Sequence, residues 1–167
     1  SCSGSECAKL QIAGRSEDPT TPKIWVAMPW VTSSGVAGRP PCDSACITIV
    51  STGAGIVVLP DVRGLHPYYE ELALRFAEHG VDAVAIDYFG RTAGAEARDE
   101  SFEFMPHVGQ TTWAGLAADI RAAADDLRSP AGGAVRSLFT IGFCMGGRLS
   151  FLAATLGLEL AGAIGYY

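Results

Sequence analysis

From Gly55 to Tyr167 the chain alternates short, unbroken apolar runs with segments of helical period, a pattern that few folds accept. Ile56-Val57-Val58-Leu59-Pro60 is rich in β-branched residues, as expected of a strand buried on both faces. After a turn at Gly64, Pro67 to His79 carries Leu72, Ala73 and Phe76 at helical spacing, with Gly80 as the stop. Val81 to Ile86 reads as the next buried strand, and Gly90 to Gln110 as a long polar connection. Trp113 to Arg128 repeats Leu116, Ile120, Ala124 and Leu127 at helical intervals. Ser137 to Phe143 is a third strand, Gly146 to Leu156 a third helix, and Ala161 to Tyr167 begins a fourth strand. This order predicts an α/β fold with a mostly parallel sheet covered by helices on both faces. Ligands in such sheets collect at the carboxyl ends of the strands. Three loops follow strand ends here: Pro60–Gly64, Asp87–Gly94 and Phe143–Gly147.

The stretch before this pattern is different. Residues 1–52 are rich in Ser, Thr, Gly and Pro, with short apolar pieces at Lys23–Met28 and Ala45–Val50 that could be strands. The expected organisation is a poorly defined lead-in over 1–52 and part of a single domain over 53–167. A chain of 167 residues has material for one real core, and 49% hydrophobic with 18% charged residues argues against disorder for most of it. A net charge of −6 argues against a nucleic-acid binder, because phosphate neutralisation needs a basic face that is not visible here. No apolar run approaches the roughly 20 residues that cross a bilayer. The five cysteines are an odd set for a disulfide framework. Cys42 and Cys46 have a spacing that could suit a metal, but no second ligand pair accompanies them. The expectation is therefore a cytoplasmic protein with a small-molecule partner, no metal and no cofactor.

The strongest local signal is Gly142-Phe143-Cys144-Met145-Gly146-Gly147, set directly between a strand and a helix. It has the form of a nucleophile elbow, small-x-nucleophile-x-small, with Cys in the place of Ser. Such a turn strains the central residue, so the residues two positions away must be small. The side chain is pushed out over the sheet edge, and the helix that follows turns its positive end towards it. Two plainer readings stand beside this one. A Gly-rich strand-to-helix turn also binds phosphates, and a Cys beside a turn is often only a small hydrophobe. The spacing does not match G-x-G-x-x-G, and the loop follows the third regular strand rather than the first.

Taken together, Pro60-Asp61-Val62-Arg63-Gly64, the helix through Gly80, Ala85-Ile86-Asp87-Tyr88-Phe89-Gly90-Arg91, Gly142–Gly147 and Gly165-Tyr166-Tyr167 resemble the dienelactone hydrolase family in order and spacing. The resemblance runs from about Gly55 to Tyr167 and implies an α/β-hydrolase fold with a cysteine nucleophile. It places the catalytic thiol at Cys144 and the two oxyanion amides at Met145 and Val62. Asp61 falls where the family often carries a Glu that holds the resting thiol; a turn-capping carboxylate is the equal alternative. Arg91 falls where the family grips a substrate carboxylate, a task that suits a planar guanidinium, against a surface salt bridge. Tyr166 lines the pocket or packs at a strand end.

In this fold the acid and the His follow the nucleophile. After Cys144 the only acid is Glu159 and there is no His. His79 reads as a cation at a helix C-terminus, His66 as the mark of a helix start, and His107 as a residue of the long connection. The expectation is a fragment whose Asp and His lie beyond Tyr167. The implied activity is cleavage of an ester or lactone of a small, carboxylated substrate through a cysteine thioester. The alternative is a catalytically incomplete domain that binds ligands or senses thiol chemistry.

Overall fold

A computed structural model describes residues 24–27, 52–94 and 98–167, with only the backbone described at 24–27. The second suggested strand, Ala45–Val50, and the cysteines at 2, 7, 42 and 46 lie outside the described residues.

The elements follow in the order β1 (Ile24–Ala27), β2 (Ala54–Leu59), α1 (Pro67–Glu78), β3 (Asp82–Ile86), α2 (Gly90–Ala93), α3 (Met105–Val108), α4 (Trp113–Arg128), β4 (Ser137–Phe143), α5 (Met145–Ala153) and β5 (Gly162–Tyr166). They form one sheet in the order β1-β3-β2-β4-β5. The four strands from β2 to β5 are parallel, and β1 runs antiparallel along β3. The mostly parallel sheet expected from the alternation is present. The long connection contains the one-turn helices α2 and α3, which it is too polar and too short in repeat to announce.

Both faces of the central strands are buried, which is why their runs are apolar without alternation. On one face Ile56, Val58, Ala83 and Ala85 pack against Tyr69, Ala73 and Ala77 of α1. On the other, Val57, Leu59, Val84 and Ile86 meet Leu116, Ile120 and Leu127 of α4 and Leu149 of α5. Local signals set the helix boundaries. His66 caps α1, its ring nitrogen accepting from the Tyr68 N–H, with Pro67 at the first helical position. Thr112 caps α4 by accepting from the Gly115 N–H. His79 closes α1, its Nδ1 2.8 Å from the Arg75 carbonyl oxygen.

The winding fixes where a site can be. From β2 the chain crosses through α1 to β3 on one side, then returns through α4 to β4 on the other. The order reverses between β2 and β4, and the carboxyl ends of these neighbours open a crevice at that point. Pro60 follows β2 there, and Cys144 follows β4.

Candidate active site

Cys144 sits between the last residue of β4 and the first of α5, with φ +51° and ψ −113°. A left-handed φ is costly for a residue with a Cβ, and the surroundings must enforce it. The neighbouring glycines are how they do so. A Cβ on Gly142 would run into the carbonyl oxygen of Gly146, and one on Gly146 into those of Leu59 and Pro60. The N-terminal turn of α5 is thus pressed against the end of β2, which no larger residue would permit. The Cys144 N–H donates to the Tyr166 carbonyl oxygen at 2.8 Å, tying the bend to the end of β5. Cys144 is a free thiol, exposed at the crevice.

No side chain caps α5, so its first amides, Met145 included, have no intrahelical acceptor. Across the crevice, Val62 lies in the turn after β2. Its amide makes no hydrogen bond among the described residues, whereas those of Arg63 and Gly64 both turn back onto Asp61.

Asp61 shapes that turn. One carboxylate oxygen accepts the Arg63 N–H at 2.9 Å, and the other accepts Arg63 Nη2 at 2.6 Å. Burial pushes this carboxyl up, but the bonds and charge of Arg63 outweigh it and hold Asp61 below the usual carboxylate range. Burial pushes the phenol of neighbouring Tyr69 up to about 12, so it remains neutral. The bonds of Asp61 therefore go to its own loop, the geometry of a turn-capping carboxylate.

Arg91, in the one-turn helix α2, reaches α4 instead of open solvent. Its two Nη atoms fork end-on onto the carboxylate of Asp119, Nη1 to Oδ2 at 2.6 Å and Nη2 to Oδ1. The Arg91 side chain is 35% exposed and Asp119 only 1%. The partner is thus a buried acid, not the surface one that a salt-bridge reading supposes. Tyr166 stacks on Phe143 at 5.2 Å between ring centroids and remains 56% exposed. Tyr68 and Tyr69 approach the same Phe143 ring at 6.2 and 5.6 Å, making an aromatic wall beside the elbow. His107 stacks on Phe102 and bonds the Thr92 hydroxyl at 2.9 Å, within the connection it belongs to.

Several supporting residues escaped sequence reasoning. Tyr88, buried at the end of β3, donates to the Pro60 carbonyl oxygen at 3.0 Å and so braces the Val62 turn. Asp87 and Arg98 form a buried ion pair at 2.8 Å, with the Arg98 guanidinium 4.7 Å over Phe102. The adjacency of Asp87 and Tyr88 to a strand end was the available signal; nothing local marked Arg98 or Asp119.

A mostly parallel sheet of this winding, with a strained strand-to-helix turn at the switch point, has the α/β-hydrolase fold. The chain belongs to the dienelactone hydrolase family, whose pattern it matches over residues 46–167. It is 32% identical over 110 residues to a carboxymethylenebutenolidase of Rhodococcus opacus, covering 62% of this chain and 40% of that protein. Among solved structures it is similar to P91, a dienelactone hydrolase-like promiscuous phosphotriesterase from metagenomic libraries. That likeness has 27% identity and a TM-score of 0.56, over 68% of this chain and 46% of the other. A second, m3DLH, is 33% identical with a TM-score of 0.52, over 68% of this chain and 47% of that one. The chain thus spans less than half the length of these relatives. No helix among the described residues is long and apolar enough to cross a membrane.

Proposed function

We propose that the protein hydrolyses an ester or lactone of a small carboxylated molecule, with the Cys144 sulfur as nucleophile. The observation that carries this reading is an exposed thiol held at φ +51° at the head of α5, in the crevice where the sheet order reverses. A residue kept in a strained conformation by three close backbone contacts is costly to maintain for packing alone. The sulfur attacks the carbonyl carbon, and the oxyanion that forms accepts from the Val62 and Met145 amides. Collapse expels the alcohol and leaves a thioester, which water hydrolyses to the acid and the free thiol.

A base must take the thiol proton, protonate the leaving alcohol and activate the water. His66, His79 and His107 are engaged with their own helix ends or the α2–α3 connection, so the reading assigns that base and its acid partner to residues following Tyr167. Asp61 acts on the shape of the Val62 turn. Arg91 offers the donors that its pairing with Asp119 leaves over, and Tyr166 with Phe143 forms an apolar wall.

Iodoacetamide on the full-length protein tests the nucleophile. Mass spectrometry should locate the adduct at Cys144, and hydrolysis of a phenyl ester should fall in proportion to labelling. Turnover that persists once Cys144 is fully alkylated defeats the mechanism.

A further inference from the structure

Asp119 is the acid whose position is hardest to explain by packing. It lies on the buried face of α4 between Leu116, Ile120 and Ala123, where a carboxylate costs several kcal/mol unless fully paired. Both its oxygens accept from Arg91, 28 residues earlier in the chain. A guanidinium has five N–H groups, and an end-on fork uses two of them. The Nε edge is left for another acceptor, while the unit charge behind it is cancelled by the buried carboxylate. This pair borders a depression lined by Tyr88, Thr92, Thr112 and Gly115. Tyr88 bonds the Pro60 carbonyl, and Gly146, two residues beyond Cys144, packs on that same carbonyl. Tyr88 thus links this depression to the Pro60 carbonyl against which the elbow is packed.

We propose that Asp119 is a positioning residue that sets how strongly the site prefers anionic substrates: it fixes the Arg91 fork and cancels its charge, so that a carboxylate is recognised by hydrogen-bond geometry with little net electrostatic pull. This rests on the reading of Cys144 as a thiol facing substrate. A purely structural Asp119 would support the fold without governing charge at the sulfur.

The test compares alkylation of Cys144 by iodoacetate, which is anionic, and iodoacetamide, which is neutral, in the full-length protein, with adducts quantified by peptide mass spectrometry. Asp119→Asn keeps the shape and leaves Arg91 uncancelled. The iodoacetate-to-iodoacetamide rate ratio should then rise about fivefold, the effect of one unit charge at a half-solvated site. The double variant Arg91→Met with Asp119→Asn restores neutrality, should fold as an uncharged pair, and should bring the ratio down to the wild-type level or below it, since the Arg91 donors are lost with the charge. A ratio within twofold of wild type in Asp119→Asn overturns the proposal, and so does an elevated ratio that survives in the double variant. Should Asp119→Asn not fold, the unaltered protein still decides. Its ratio should change less than twofold between about 20 and about 500 mM salt, because a cancelled charge offers little to screen; a steep fall with salt overturns the idea. Alkylation needs no turnover, so the two readings fail separately. Hydrolysis that survives labelling defeats the nucleophile, whereas an unmoved ratio with hydrolysis abolished defeats only the role of Asp119.

Discussion

The elbow at Cys144 and the brace formed by Arg91, Asp119, Asp87 and Arg98 both lie beyond the carboxyl ends of interior strands of the same sheet and are built in opposite ways. The elbow is made of backbone: glycines at 142 and 146 let the chain touch itself, and the strain falls on the one residue between them. The brace is made of side chains that cross 28 and 11 residues of sequence to meet. A backbone site fails when any atom is added, because carbonyl groups cannot turn aside. A side-chain site fails when a charge is removed, because its partner is left buried and alone. The two regions are sensitive to different chemistry, and variants can separate them.

The largest effect should come from the brace. Arg98→Met leaves Asp87 buried without its cation, which typically costs about 3–5 kcal/mol. Urea denaturation should show this loss, and Asp87→Asn in the same background should recover much of it. If Arg98→Met proves neutral, the brace contributes nothing to the fold and the contrast fails on that side. Next in size is Gly146→Ala. Its methyl would enter the carbonyls of Leu59 and Pro60, and overpacking against rigid backbone costs about 1–3 kcal/mol. A shift in the urea midpoint checks it, with iodoacetamide reactivity of Cys144 reporting whether the bend survives. An unshifted midpoint would mean that the elbow relaxes easily and is not under the constraint described.

The smallest effect belongs to Asp61, whose partner Arg63 is half exposed and screened by solvent. The Asp61 carboxyl titrates lower in the folded protein than in the unfolded chain. Its stabilisation is therefore complete above the unfolded value, about 3.9, and is lost as pH falls through the lower folded value. Between about pH 5 and pH 2 the unaltered protein should lose stability more steeply than Asp61→Asn. Parallel curves for the two would show that the Asp61–Arg63 pair leaves the turn unaffected.

The legibility of these features follows their construction. The β2, β3 and β4 runs, the caps at His66 and His79 and the elbow were readable because each depends on residues within a few positions of one another. The bend at Cys144 was accessible for the same reason: Gly142 and Gly146 sit at the spacing its backbone demands. Arg91 was visible as a candidate, but its partner was not. Asp119 falls on the buried stripe of α4, where the helical period alone would place an apolar residue. Asp61 could be read two ways, and only the position of Arg63 shows which bonds it makes. The antiparallel course of β1 along β3 had no local marker either.

By itself, the sequence determined the alternation of strands and helices, the buried character of the sheet and the sharp bend at Cys144. Backbone sterics and hydrophobic period act over a few residues and leave a mark in local spelling. Which acid meets which arginine was decided only by tertiary structure. With 12 basic and 18 acidic residues the chain permits many pairings, and a pair becomes specific only when packing removes water from it and brings two distant elements face to face.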